Sequence, residues 1–222
     1  MISEQHEIER YNEWRKTFTG FTTNRYDIIN HLIKKNDYVN YLEIGINDGD
    51  NFKRIEIEHK DGVDPNPIQD GIQCANYSVS SDDFFDLLKG HDEIKYDIIF
   101  IDGLHHWEQV EKDLLNSLNH LQSKGVIVMH DCNPMFEVTQ RRYAVVGAWN
   151  GDTWKAFTKF RTTREDLEMY VVDTDHGIGV VRFGRQELYE PIELNYSLLE
   201  NNREKLLNLI SVEQFYKKEK IL

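Results

Sequence analysis

Cysteine is almost missing from this 222-residue chain. Cys74 and Cys132 are too few for a disulfide framework or a cysteine-rich zinc site, and they suit a reducing compartment. Positive charge is also short. Lys and Arg number 26 against 39 Asp and Glu, a formal net charge of −13, which repels phosphate backbones and anionic membranes unless a local patch overrides it. The only dense basic stretches are Arg141–Arg142 and KKEK at 217–220, so no nucleic-acid partner is expected. No apolar run approaches membrane-spanning length, and the opening MISEQHEIER lacks the apolar core of a secretion signal. No membrane association and a cytoplasmic location are therefore expected. Repeats and low-complexity segments are absent too. What is present is an ordinary globular composition, 40% hydrophobic and 12% aromatic, with enough length for one well-cored domain.

The apolar pattern divides that domain, 1–222, into three parts. Residues 1–36 carry Ile8, Tyr11, Trp14 and then Tyr26, Ile29, Leu32 and Ile33 at helical spacing around TGFTTN, which predicts two helices forming an N-terminal cap. Residues 38–184 form the core, and 194–217 a C-terminal helix. Within the core, YVNYLEIG (38–45), GVDPNP (62–67), QCANYSVS (73–80), YDIIFIDG (96–103) and VIVMHD (126–131) read as strands. The segments between them include a helix opening at Ser81 or Asp82 and another running from Trp107 to a stop at Gly125. Apolar runs without polar alternation, separated by helices, indicate a parallel sheet covered on both faces. LEMYVVDT (167–174) and GIGVVRFG (177–184) predict an antiparallel hairpin at the sheet edge, with Asp175 and His176 in its turn.

In such a sheet, ligands bind beyond the carboxyl ends of the strands, usually at the turn after the first. Here that turn is EIGINDGD. The dinucleotide fingerprint fails because Asn47 and Asp50 stand where glycines are needed, and no Gly-Lys-Ser/Thr follows for a phosphate loop. What remains is Glu43-x-Gly45-x-x-x-Gly49, with Asp64 nineteen residues beyond Gly45 at the end of the second strand. Close backbone approach plus a carboxylate for ribose hydroxyls suits a nucleoside ligand without pyrophosphate.

The chain thereby resembles class I S-adenosylmethionine-dependent methyltransferases over roughly residues 38–184. The resemblance implies an α/β Rossmann-like fold, a mostly parallel seven-stranded sheet with a C-terminal antiparallel hairpin and helices on both faces. It puts Gly45, Asn47 and Gly49 along the cofactor, Asp64 on its ribose and Glu43 under the turn. Ser78, Ser80 or Ser81 would face the adenine, and Asp102 borders the same crevice.

Asp102 and Asp131 end neighbouring strands, so both carboxylates should enter one crevice. Two close acidic groups repel unless a cation or proton separates them, which makes Mg²⁺ a natural inference, with Asn133 as a further neutral oxygen. His105 or His106 could serve as general base. FIDGLHHWEQVEKDLLNSLNHLQSKGVIVMHDCNP resembles the branch that contains macrolide sugar O-methyltransferases and methyltransferases of capsule and O-antigen loci. That resemblance implies Asp102 and Asp131 as metal ligands and His105 as the base. His130 stands where metal-dependent members have glutamate, so it either ligates or hydrogen-bonds across the crevice.

Plainer roles compete with these. Asp102 and Asp131 could cap helices or turns, and one histidine could simply pack beside Trp107. Trp149, Trp154 and Tyr143 could line an acceptor pocket or belong to the core, and Arg142, Lys155 and Arg161 could hold an anion or be solvated. The expected function is O-methylation of a small polar acceptor, a sugar or activated precursor of surface polysaccharide, with Mg²⁺ assistance left open. The alternatives are a metal-dependent hydroxylase-like relative and a non-catalytic Rossmann-like binding domain. The N-terminal helices and the final helix could make a homo-oligomer interface.

Overall fold

Strands whose side chains are apolar on both sides must be covered on both faces, and the layers follow from that. A computed structural model describes residues 3–66, 68–69, 72–73, 75–189 and 193–220. Helices α1 (Glu4–Thr17) and α2 (Arg25–Asn36) precede β1 (Asn40–Ile44), α3 (Asp50–Arg54) and β2 (His59–Val63). A separate ribbon pairs β3 (Ile68–Gln69) with β4 (Ile72–Gln73). Next come α4 (Ser81–Leu87), β5 (Tyr96–Ile101), α5 (Trp107–Asn119), β6 (Leu121–Met129) and α6 (Thr153–Thr163). The chain closes with β7 (Leu167–Val172), β8 (Ile178–Phe183), α7 (Tyr196–Leu207), β9 (Leu209–Ile210) and α8 (Val212–Lys218).

The main sheet has seven strands in the order β2-β1-β5-β6-β8-β7-β9. All pairings are parallel except those of β8, which runs antiparallel between β6 and β7. Alternate residues of β5 enter opposite cores. Ile99 and Ile101 meet Phe84, Leu114 and Phe157 on one face, while Ile98 and Phe100 join Ile28, Leu32 and Phe215 on the other. Full burial of each such side chain contributes about 1.5–3 kcal/mol.

Seven strands were expected, but two segments differ. Among the described residues QCANYSVS supplies one parallel bridge to the sheet, Tyr77 to Val63, because Ser80 turns away to cap α4 by accepting from the Asp83 N–H. The cap is therefore Ser80 rather than Ser81 or Asp82. Cys74 and Pro67 of the expected strands lie outside the described residues. The seventh strand comes instead from the expected terminal helix, which breaks at Asn208 in left-handed conformation (φ 47°). Leu209 and Ile210 then pair with Val171 and Val172, and Ser211 starts α8 with a capping box to Gln214. The β7–β8 hairpin thus sits one strand inside the edge. Likewise α5 stops at Asn119 instead of Gly125, and the residues after it enter β6 through an interruption of the ladder between Tyr96 and Ile98. Among the described residues no helix is long and apolar enough to cross a membrane.

Candidate active site

The parallel ladder continues one residue past each strand. Gly45 N–H donates to Val63 O at 2.9 Å, Asp102 N–H to Ile44 O at 2.8 Å, and His130 N–H to Ile101 O at 3.0 Å. These bonds place the glycine turn, Asp102 and His130 side by side at the carboxyl edge of the sheet, where a doubly wound fold opens its crevice.

The turn itself needs glycine. Gly45 has φ 88°, and a Cβ there would lie 2.2 Å from the carbonyl oxygen of Asp102, so the turn crosses β5 closer than any side chain permits. Asp64 fixes the same turn: its Oδ2 accepts the N–H groups of Ile46 and Asn47, each at 2.9 Å, and its Oδ1 accepts that of Asn66 at 2.7 Å. Glu43 is buried on β1, where Tyr41 Oη and Asn51 Nδ2 donate to Oε2, tying the strand to α3. Burial raises its carboxyl to about 8 against those two hydrogen bonds, so Glu43 is largely protonated at neutral pH. Gly49 opens α3 at φ 74°.

Asp102, His105, His130 and Asp131 form one cluster. Asp102 Oδ1 accepts from His105 Nε2 at 3.2 Å and His130 Nδ1 at 3.1 Å. Asp131, left-handed at φ 59°, sets Oδ2 3.2 Å from Nδ1 of both histidines, and its Oδ1 accepts from Asn150 Nδ2 at 2.6 Å. His105 Nδ1 also faces the Trp149 carbonyl at 3.0 Å. Both nitrogens of His105 therefore face acceptors, which favours the imidazolium. Burial lowers its affinity for a proton, and the Asp131 and Asp102 carboxylates more than offset this, raising the ring above its ordinary range. Burial likewise works against ionised Asp102, yet His130, His105 and Arg25 hold its carboxyl well below the ordinary range.

Two further charged groups, neither of them expected in the site from the sequence, complete the cluster. Arg25, the first residue of α2, donates from Nη1 to Asp102 Oδ2 at 2.7 Å and from Nε to Asp175 Oδ2 at 2.9 Å. Asp175 does sit in the hairpin turn as expected, but its side chain enters the crevice, with Oδ1 3.6 Å from His130 Nε2. The consecutive left-handed residues Asp175 (φ 42°) and His176 (φ 64°) aim it there. DTDHG carried no signal of this in the sequence, because Asp and His are ordinary residues of a left-handed turn.

Other expected site residues fall outside the crevice. His106 starts α5 and points Nε2 at the Arg142 carbonyl, 2.9 Å away, so the two histidines separate and only His105 lines the cavity. Asn133 is no third oxygen for the cluster, since its Nδ2 donates to Asp173 at 3.0 Å and its Oδ1 accepts from Arg203. Ser80 and Ser81 line the cavity, whereas Ser78 and Gly49 do not. Trp154 is fully buried core and Tyr143 is exposed, leaving Trp149 as the aromatic wall. Arg142 and Lys155 pair with Asp152, and Arg161 donates to the Glu187 carbonyl.

The cavity measures about 1020 Å³ and runs from Gly45, Asp64 and Ser80 to Asp102, His105, Asp131 and Trp149, a size that admits a drug-sized ligand and more. A smaller one of about 370 Å³ adjoins it across Arg25, Gly45 and Asp102 and reaches Glu43. The Trp149 wall is held by α1, whose Tyr11 Oη accepts from the Ala148 N–H at 2.9 Å. Gly151 passes so close to His105 that a Cβ would lie 2.0 Å from its carbonyl oxygen.

Residues 42–132 match the family model described as a methyltransferase domain, the stretch that holds the glycine turn, Asp64, Asp102, His105, His130 and Asp131. No curated protein matches the chain. Among solved structures, a protein described as a caffeoyl-CoA O-methyltransferase from Staphylococcus aureus is similar at 17% identity and TM-score 0.51, covering 82% of this chain and 93% of its own. The O-methyltransferase TomG from Streptomyces achromogenes, involved in tomaymycin synthesis, is similar at 11% identity and TM-score 0.52, covering 82% and 91%. An O-methyltransferase from Bacillus cereus gives 13% identity, TM-score 0.50, 82% and 90%. The fold is thus the Rossmann-like one of class I methyltransferases.

Proposed function

We propose that this chain transfers a methyl group from S-adenosylmethionine to a hydroxyl of a small polar acceptor, a sugar or activated sugar of surface-polysaccharide synthesis. The observation that carries the reading is the single cavity in which the Gly45 turn and Asp64 face Asp102, His105 and Asp131. The S. aureus protein, the B. cereus protein and TomG are described as O-methyltransferases, the last two in complex with SAH and SAM respectively, which supports the cofactor assignment. Asp64 keeps acceptor capacity on Oδ1 for a ribose hydroxyl while Oδ2 holds the turn. The sugar acceptor rests on the sequence resemblance, on the Trp149 ring and on the polar groups of Asn66, Gln109 and Asn150 in the lining.

When bound, S-adenosylmethionine supplies an electrophilic methyl on a sulfonium centre, so the protein's task is alignment and proton removal. His105 takes the proton of the acceptor hydroxyl once Nε2 has released its own and has exchanged its contact with Asp102 Oδ1 for that hydroxyl. Asp102 and Asp131 orient the ring and stabilise the imidazolium that forms. Trp149 and the loop around it screen the reacting oxygen from water.

A divalent ion would take Asp102, His105 and Asp131, whose ligand atoms lie within 4.8 Å of one another. The surrounding groups do not fit one as arranged, because each oxygen of Asp102 and Asp131 already faces an N–H donor. Calorimetry tests the reading: the intact chain should bind S-adenosylmethionine, and absence of binding would sink the proposal.

A further inference from the structure

We infer that Arg25 is the resident cation of this crevice and supplies, from the protein itself, the positive charge that a divalent metal would otherwise bring. The role assigned to that charge rests on the methyltransferase reading, but the placement does not.

Asp102, Asp131 and Asp175 come from three separate loops to the ring of His130, at 3.1, 3.2 and 3.6 Å, and all three are buried or nearly so. Carboxylates gathered out of water need a fixed counter-charge at close range. Arg25 provides it with a planar fork. Nη1 takes Asp102 Oδ2 at 2.7 Å, while Nε and the backbone N–H take Asp175 Oδ2, each at 2.9 Å, and Nη2 reaches Asp175 Oδ1 at 3.3 Å. A guanidinium bridging two carboxylates in this way stays charged at any working pH and cannot be exchanged with solvent ions.

The position is built rather than incidental. Asp27 accepts the Asn24 N–H at 2.9 Å and so starts α2 at Arg25. Thr174 Oγ1 donates to the Thr23 carbonyl at 2.6 Å, fastening the same loop to the hairpin turn that carries Asp175. Arg25 also lines both cavities. It is therefore a positioning residue whose charge lies on the cavity wall beside Asp102. Mg²⁺ requires near-octahedral oxygen ligands at about 2.0–2.1 Å. To bind here it would first have to displace Arg25 from Asp102.

The test is a Mn²⁺ titration followed by electron paramagnetic resonance on the full chain, its Arg25→Gln variant and its Arg25→Lys variant. Wild type and Arg25→Lys should leave the free-ion spectrum unchanged. Arg25→Gln, whose carboxylates keep only the exchangeable protons of His105 and His130 as counter-charge, should bind Mn²⁺ roughly tenfold or more tightly than wild type. Equal binding by wild type and Arg25→Gln overturns the inference. Should Arg25→Gln fail to fold, wild type decides alone: retention of stoichiometric metal, with S-adenosylmethionine binding lost in EDTA and regained with Mg²⁺, overturns it, and binding indifferent to EDTA upholds it. If wild type binds no S-adenosylmethionine at all, the functional proposal fails while the Mn²⁺ comparison still decides this one.

Discussion

Nη1 of Arg25 lies 2.7 Å from Oδ2 of Asp102, across 77 positions of sequence. That bond joins the helical N-terminal segment to the end of a central strand, so the crevice is assembled from that segment as well as from the core strands.

Asp64→Ala should weaken S-adenosylmethionine binding by about tenfold to a hundredfold, the worth of one or two hydrogen bonds to a charged group. Two of the bonds it removes hold the Ile46 and Asn47 amides, so some of the loss reflects a loosened turn. Calorimetry on the variant checks this, and an unchanged Kd would detach Asp64 from the cofactor.

Asp102→Asn should bind the cofactor normally and lose turnover by about a hundredfold or more, the usual worth of a positioned acid–base pair. His105 is raised by its carboxylate neighbours, so kcat/KM should climb with pH through a midpoint above the ordinary imidazole value. Asp131→Asn removes one of those neighbours and should move the midpoint down. A pH profile that does not shift in Asp131→Asn would exclude His105 as the base.

Gly45→Ala should destabilise the fold by roughly 2–4 kcal/mol, combining a left-handed backbone strain with overpacking. The clash is with the Asp102 carbonyl, which cannot move without disturbing β5. Urea unfolding measures it, and a change below about 0.5 kcal/mol, the range of an ordinary surface substitution, would contradict the crossing geometry.

Asp113 is buried on α5, where Gln109 Nε2 donates to it at 3.1 Å, and burial lifts its carboxyl to about 6 from 3.8. Below pH 3.8 the group is protonated in both states and costs nothing. Between 3.8 and 6 the unfolded chain binds fewer protons than the folded one, so stability falls as pH rises. At pH 7 the full cost is roughly 3 kcal/mol, taking 1.36 kcal/mol per pH unit. Asp113→Asn should remove that slope and gain stability over wild type progressively from pH 4 to 7. Parallel stability curves for the two proteins would refute it.

Much of this was legible in the sequence. Strand-like apolar runs located β1, β5, β6 and the hairpin, because residues buried on both faces must be apolar without alternation. The glycine at 45, the acid at 64 and the acids after β5 and β6 marked the crevice, since ladder bonds carry those positions to one sheet edge. Periodicity said nothing of the short pairings. Leu209–Ile210 is too brief to show a strand pattern, and QCANYSVS has the composition of a strand but yields its end to the Ser80 cap.

The sequence by itself determined the layers, the crevice edge and the place of Asp102 on that edge, because each follows from local pattern and strand order, and it left His105 and His106 as equals. Only the tertiary structure decided that Arg25 and Asp175 enter the crevice, that Asn133 and His106 leave it, and that its carboxylates are already matched by protein donors. Those outcomes depend on contacts between segments far apart in the chain, where a buried charge takes whichever partner the packing brings within reach.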